Sequence, residues 1–225
     1  MRTTGGPRAG RRAGVLAAHG LLLGGLWAAS VQAREVSPGM RPGQLDLRAG
    51  GGLSLFAPSV EAGATLEGGV LALGPGTLSV GAQLDLQQCL LACSLPGLLA
   101  AQQVTLQDVY ALGRLGYHVR LEGRSRGPVD LYGVLLGGVV RARTVRVTPD
   151  YHLEGRGRAP AMGVGLGGNY FLSERFFVGG EARLRFATGT YELSLTQGSY
   201  AFTPEDRHWL RLAPSTVLFA GVRLF

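Results

Sequence analysis

Three of the four histidines are the side chains of this sequence best suited to acid–base chemistry, since an imidazole titrates near neutral pH. They are His118, His152 and His208. A hydrolase would need one of them beside a serine nucleophile, with a third group orienting the base. No serine stands at a recognisable spacing from any of the three. We therefore expect no catalytic residues and a protein that is not an enzyme.

The two cysteines, Cys89 and Cys93, are separated by Leu-Leu-Ala. In an exported protein they are expected to form a disulfide, provided that the backbone brings their Cα atoms within bridging range; free thiols are the alternative. Two cysteines without a nearby histidine fall short of a zinc site. We expect no metal and no cofactor.

The elements that would position these side chains are β-strands. In residues 176–186 the even positions are Phe, Val, Gly, Ala, Leu and Phe, whereas Glu181, Arg183 and Arg185 are odd. A period of two is typical of a pleated strand whose two faces meet different surroundings.

Eight such segments follow one another, and their connectors are alternately short and long. Long connectors are predicted at 88–103, 145–158 and 193–208. Short turns at one end and longer loops at the other are typical of bacterial outer-membrane barrels. The sequence thus predicts an all-β fold, an eight-stranded antiparallel up-and-down transmembrane β-barrel. The predicted strands are 44–56, 62–73, 77–87, 104–121, 129–144, 159–172, 176–192 and 210–225.

The two faces of these strands differ in composition. One face is apolar, and the other combines glycines with charged residues. Glycines would only weaken a solvent-facing strand, but inside a narrow barrel they leave room for long neighbours. Because buried ions need partners, we predict an interior charge network of Asp46, Arg48, Glu67, Asp85, Arg114, Arg120, Glu181, Arg183 and Arg185. In the fifth strand both faces are mostly apolar, so its phase stays open.

Aromatic residues stand near the predicted strand ends. Girdles at the membrane interfaces are the preferred interpretation, and ordinary core residues are the alternative. The residues concerned are Tyr110, Tyr117, Tyr170, Phe171, Phe176, Phe177 and Phe186.

The first 33 residues have the order of a secretory signal peptide. Four arginines precede an apolar run over 15–29 and the small-residue site Val31-Gln32-Ala33, which predicts cleavage after Ala33. Residues 34–43 would be a short lead into a barrel domain at 44–225. No other run approaches 18 apolar residues, which excludes a helical membrane protein.

Loss of the signal's four arginines would leave 18 of the 22 basic residues against 15 acidic ones. This near balance gives no support for nucleic acid as a partner.

Residues 169–183, Asn-Tyr-Phe-Leu-Ser-Glu-Arg-Phe-Phe-Val-Gly-Gly-Glu-Ala-Arg, and the final strand resemble the small eight-stranded outer-membrane β-barrel proteins. That group includes the OmpA transmembrane domain, OmpX and OmpW. The resemblance implies residence in the cell outer membrane and a role for Phe225 as a signal for the barrel-assembly machinery. In this chain the apolar residues of the last strand alternate out of phase with Phe225, which predicts that it points inward or lies at the rim.

Arginines flank the third long connector at Arg141, Arg143, Arg146, Arg156 and Arg158. The favoured interpretation is a solvated loop with Arg141 and Arg143 facing inward. The alternative is binding of lipopolysaccharide phosphates, whose oxygens match a guanidinium fork.

The sequence thus favours a structural or surface-interaction barrel in contact with outer-membrane lipid. A small lipid-modifying hydrolase of the lipid A deacylase kind and a soluble periplasmic ligand-binding barrel with its faces reversed are the alternatives.

Overall fold

The computed structural model of the chain describes residues 39–54, 59–89, 103–121, 129–197, 200–202 and 207–225. The chain divides into units 1–36 and 37–225. The predicted signal peptide and its cleavage site lie outside the described residues, so they stay predictions.

The described residues form strands joined edge to edge in a ring. Consecutive strands pair antiparallel from β1 to β7, β7 pairs with β9, and β9 pairs with β1. The short β8 pairs with the end of β7 alone. Eight long strands therefore close a barrel, which confirms the predicted fold class. The strands are β1 (Leu45–Ser54), β2 (Ser59–Leu73), β3 (Gly76–Cys89), β4 (Gln103–Leu121), β5 (Val129–Val147), β6 (His152–Phe171), β7 (Phe176–Gln197), β8 (Tyr200–Phe202) and β9 (Arg207–Arg223).

Within the described residues no helix is long and apolar enough to cross a membrane.

Two short connections lie at one end of the barrel. Residues 74–75 join β2 to β3, where Gly74 takes a φ of 56° that favours glycine. Residues 172–175 join β6 to β7, and the Ser173 hydroxyl accepts hydrogen bonds from the backbone N–H groups of Arg175 and Phe176. We call this end the turn end and the opposite end the loop end.

Two of the predicted long connectors are wrong in extent, because the strands continue through them. β5 runs to Val147 and β6 begins at His152, so only residues 148–151 connect them. Likewise β7 runs to Gln197, and β8 pairs with its end. The apolar alternation stops where both faces become polar, but the backbone ladder continues, since it needs no particular side chain.

The structure fixes the phase of β5. Tyr132, Val134 and Leu136 are buried inside the barrel, whereas Leu131 and Leu135 face outward. The same parity places Arg141 and Arg143 on the outer face, because buried Ala142 lies between them. The expectation that these two arginines face inward is therefore wrong.

The prediction of aromatic girdles is wrong for three of its seven residues. Tyr110, Phe171 and Phe177 are buried inside the barrel, and the rings of Phe171 and Phe177 lie 5.2 Å apart. Nearness to a strand end suggested an interface, but the parity along the strand decides the face. Residues that do lie outside include Tyr170, Phe176 and Phe186.

The outer wall is an apolar belt. Outward positions along the strands hold exposed leucines, valines and aromatics, whereas the acidic residues of the barrel wall are mostly buried within. The most exposed belt residues include Leu53, Leu135, Met162, Leu166 and Leu218.

Candidate functional site

Glu67 is the hub of the interior charge network and is fully buried. Its carboxylate accepts a hydrogen bond from Arg48 Nη2 at 2.6 Å and another from the Ser79 hydroxyl at 2.6 Å. Arg114 Nη2 lies 3.6 Å from Glu67 Oε2. One carboxylate is thus shared by two guanidinium groups and a hydroxyl.

His118 joins Glu67 to β5. Its Nε2 lies 3.2 Å from Glu67 Oε1, and its Nδ1 lies 2.8 Å from Asp130 Oδ2. Asn169 donates to the same Asp130 oxygen at 3.1 Å, and the His118 ring stacks on Tyr132. With a carboxylate at each ring nitrogen, His118 is held as a member of the network.

Toward the loop end, Arg114 and Arg183 share Glu181. Arg114 Nη2 lies 2.8 Å from Glu181 Oε2, and Arg183 Nε lies 2.5 Å from Glu181 Oε1. Arg183 Nη1 also reaches Glu61 at 3.0 Å and Asp85 at 3.3 Å. The network therefore crosses the barrel from β4 and β7 to β2 and β3.

Arg185 extends the network further toward the loop end. Its Nη2 lies 2.5 Å from Glu61 Oε2 and its Nη1 lies 3.1 Å from Asp85 Oδ2. The guanidinium carbon sits 4.3 Å from the centre of the Tyr110 ring, within the range of a cation–π contact.

Each end of the interior has a further ion pair. At the turn end Arg223 Nε donates to Asp46 at 2.9 Å, and its guanidinium packs over Phe171. At the loop end Arg211 donates to Asp108 at 3.2 Å and to the Tyr191 hydroxyl.

These side chains fill the barrel. The gap among Arg48, Asp85, Glu181 and Arg183 has a volume of about 10 Å³, which is room for no more than about one water molecule. Wider space begins near the loop end, where a pocket of about 180 Å³ is lined in part by Gln87, Asp108 and Arg211.

Interior glycines make this packing feasible. A Cβ at Gly116 would lie 2.6 Å from a Glu67 carboxylate oxygen, and one at Gly163 would lie 3.1 Å from Arg185 Cγ. The distance at Gly116 is shorter than real Cβ atoms show, and the distance at Gly163 is at the tight end of the range that they show. The small residues therefore leave the volume that the charged side chains occupy.

Eight of the nine residues predicted for the interior network take part in the ion pairs described above. The ninth, Arg120, lies on β4 near the turn end, beside Gly39, and also has an interaction partner. The sequence interpretation missed Glu61, Asp108, Asp130, Arg211 and Arg223. Parity could have found Arg211 and Arg223, which share the odd positions of the last strand. Asp130 depended on the phase of the fifth strand, which the sequence left open.

No catalytic arrangement stands out among the described side chains. His152 and His208 are exposed. The hydroxyl of buried Ser79 donates to Glu67 and not to His118. Within the described residues no group of three or more His, Cys, Asp and Glu side chains is placed to hold a metal ion.

Similar folds occur among solved structures. A major outer membrane protein from Thermus thermophilus aligns with a TM-score of 0.51 and 12% identity, over 80% of this chain and 99% of that one. The outer membrane protein OprG from Pseudomonas aeruginosa aligns with a TM-score of 0.51 and 13% identity, over 83% of this chain and 98% of that one. This chain has the fold of the small outer-membrane β-barrels. No family profile and no curated protein sequence matches it.

The last strand of this outer-membrane-type barrel keeps the unusual phase read from the sequence. Val217, Phe219 and Arg223 are buried inside, whereas Leu218 and Leu224 face outward. Phe225 follows the strand and is 75% exposed at the turn end. It therefore lies at the rim, and its role in barrel assembly stays a prediction.

Proposed function

We propose that this protein is an integral outer-membrane β-barrel with a structural or surface-interaction role and no catalytic activity. The observation that carries the proposal is the inversion of the two faces: leucines and valines cover the outside while ion pairs fill the inside. A soluble barrel would bury its apolar face and expose its polar face to water.

The height of the apolar belt fits a membrane. On β5 the outward residues from Val129 to Val139 are apolar or glycine, and on β6 the same holds from Pro160 to Tyr170. Ten residues at a rise of about 3.3 Å and a tilt of about 40° span roughly 25 Å. This is about the height of the apolar band of outer-membrane barrels.

The turn end would then face the periplasm and the loop end the exterior. Short periplasmic turns and longer external connections are the usual arrangement in such barrels. Any recognition of partners would fall to the loop end, since the interior is occupied by paired side chains.

The proposal is tested by cell fractionation and by electrophoresis. We expect the protein in the outer-membrane fraction after alkaline extraction, with a band that shifts in mobility when the sample is boiled. A soluble periplasmic product without a heat-dependent shift would reject the membrane location and favour the reversed barrel.

The filled interior predicts that the purified protein makes no stable open channel. Reconstituted into planar bilayers, it should show no steady single-channel conductance, because the gap in the network has room for about one water molecule. A matched measurement on a large porin shows that the assay detects open barrels. Steady conductance from the folded protein would contradict the proposed plug.

The lipid-hydrolase alternative makes a different prediction. Lipid A from cells that express the wild-type protein should equal lipid A from cells that express the variant with His118, His152 and His208 replaced by Ala. A modification seen only with the wild type would establish the hydrolase.

We infer a disulfide between Cys89 and Cys93 in the exported protein. Cys89 is buried at the end of β3, and Cys93 lies outside the described residues. Closing so short a loop is worth about 2 kcal/mol in the chain-entropy model. We expect neither thiol of the unfolded, unreduced protein to react with an alkylating reagent, and both to react after reduction. Alkylation of both without reductant would reject the bridge.

A further inference from the structure

Four arginines stand in two facing pairs on the outer wall of the β5–β6 hairpin. Arg141 lies opposite Arg158, and Arg143 lies opposite Arg156. Like charges directly opposite one another on a sheet repel. A bound anion would reduce this repulsion.

Acidic residues stand beside the pair of Arg143 and Arg156 alone. The exposed Glu192 on β7 lies opposite Arg156, and Glu154 contacts both arginines. Glu154 Oε1 accepts hydrogen bonds from Arg156 Nε at 2.9 Å and from Arg143 Nε at 2.7 Å. The hydrogen bond from Arg156 lowers the pKa of Glu154 and keeps it ionised. Within the described part of the chain, Arg141 and Arg158 form no ion pair.

The pair of Arg141 and Arg158 lies at the edge of the apolar belt. The next outward pair toward the turn end is Val139 and Pro160, which is apolar. At the same height β4 presents Val109 outward, opposite Arg141. The positive charge therefore does not continue from β5 onto β4 at this level.

An apolar groove lies below the arginines on the same wall. It has a volume of about 740 Å³ and is lined partly by Tyr117, Gly133, Leu135, Val164 and Leu166. The outer wall thus offers a recess among large apolar side chains.

Part of the wall between the groove and the arginines carries no side chain. Gly113 and Gly137 face each other across β4 and β5 on the outer surface. A Cβ at Gly137 would have nothing within 4 Å. A chain lying along the wall could pass from Arg141 to the groove without meeting a side chain at this point.

The depth of the groove matches one leaflet of a membrane. Leu135 lies six positions before Arg141 along β5, which corresponds to roughly 15 Å of depth at the rise and tilt of a barrel strand. The hydrocarbon core of a bilayer is about 30 Å thick. The groove therefore lies where an acyl chain of the outer leaflet ends.

We propose that Arg141 and Arg158 bind the phosphorylated headgroup of one outer-leaflet lipid, with an acyl chain of that lipid in the groove at Leu135 and Val164. The planar guanidinium fork matches phosphate oxygens, and the groove supplies apolar contact that a free anion would not use. Lipopolysaccharide belongs to this class of lipid. The inference rests on the proposed membrane location.

The test uses the folded protein in detergent and native mass spectrometry. Phosphatidic acid and phosphatidylcholine with the same acyl chains are titrated against it, with inorganic phosphate as a separate arm. We expect phosphatidic acid to be retained at least about tenfold more strongly than phosphatidylcholine. Arg141→Gln and Arg158→Gln should each reduce that preference about tenfold, while Arg175→Gln, which removes an exposed charge at the turn end, leaves it unchanged.

A second variant tests the groove. Gly137→Leu places a side chain in open space and should weaken retention of long-chain phosphatidic acid severalfold, whereas Ala62→Leu, on the outer face of β2, should not. Equal retention of both lipids, or no effect of Arg141→Gln and Arg158→Gln, would overturn the proposal. Inorganic phosphate bound as tightly as phosphatidic acid, with no effect of Gly137→Leu, would also overturn it. These failures would leave the fractionation result intact, so they are distinct from a failure of the proposed function.

Discussion

Replacement of Glu67 by Gln will destabilise the folded barrel by about 3–5 kcal/mol. The variant keeps the shape of the side chain but removes the charge that Arg48, Arg114 and His118 share. Breaking a buried ion pair from one side leaves the remaining charges without compensation, which is where the cost arises. Unfolding by urea in phospholipid vesicles, followed by the fluorescence of Trp209, measures the change.

A double-variant cycle separates the ion pair from general disruption of the interior. Arg48→Gln should also be strongly destabilising, since Glu67 is the carboxylate that its guanidinium contacts at 2.6 Å. The variant with both changes should be more stable than the sum of the two losses predicts, because neither charge is then left alone. Glu154→Gln, at a partly exposed ion pair, should change stability little. Strict additivity at Glu67 and Arg48 would refute a network of coupled charges.

Replacement of Leu166 by Arg will cost about 2–4 kcal/mol if the outer face lies in a bilayer. Leu166 is 72% exposed on the outer wall of β6, between Pro160 and Tyr170, and so lies close to the middle of the apolar belt. A guanidinium at that depth must be taken out of water or must draw water into the hydrocarbon. Urea unfolding in vesicles again gives the magnitude.

The matched control for this variant is Leu172→Arg. Leu172 is 60% exposed, but it lies in the turn after β6, at the edge of the belt. An arginine near an interface costs only about 0–1 kcal/mol. In a soluble barrel with its outer face in water, both substitutions would be tolerated about equally, so similar small losses would contradict a membrane location.

The sequence predicted the fold because alternation is a local property of a strand. It was sufficient wherever one face was charged, as in β7, where Glu181, Arg183 and Arg185 mark the inside. It failed in β5, where Leu131 and Leu135 point outward while Val134 and Leu136 point inward, so both faces look alike. There the pairing of β5 with β4 and β6 decides the phase, and a single strand does not contain that information.

For a related reason, the sequence could not predict which residues pair with one another in the interior network. Residue types and parity indicated which charges face inward, but not which of them meet. Arg183 contacts Glu61, which is 122 residues away in the chain. Such a contact depends on how far each strand is staggered against the next around the ring. Arg141 and Arg143 were misplaced because the sequence left the phase of β5 open.

The most direct test of the account is the quenching of tryptophan fluorescence by lipids brominated in their acyl chains. In the protein without residues 1–33, which include Trp27, and with Trp209 replaced by Phe, a single tryptophan is placed at position 218 or 219 in turn. Leu218 is 70% exposed on the outer wall of β9, whereas Phe219, the next residue, is buried inside. We predict strong quenching for Leu218→Trp, greatest with bromines deep in the bilayer, and little for Phe219→Trp. Quenching of Phe219→Trp with none of Leu218→Trp would contradict the assignment of the two faces.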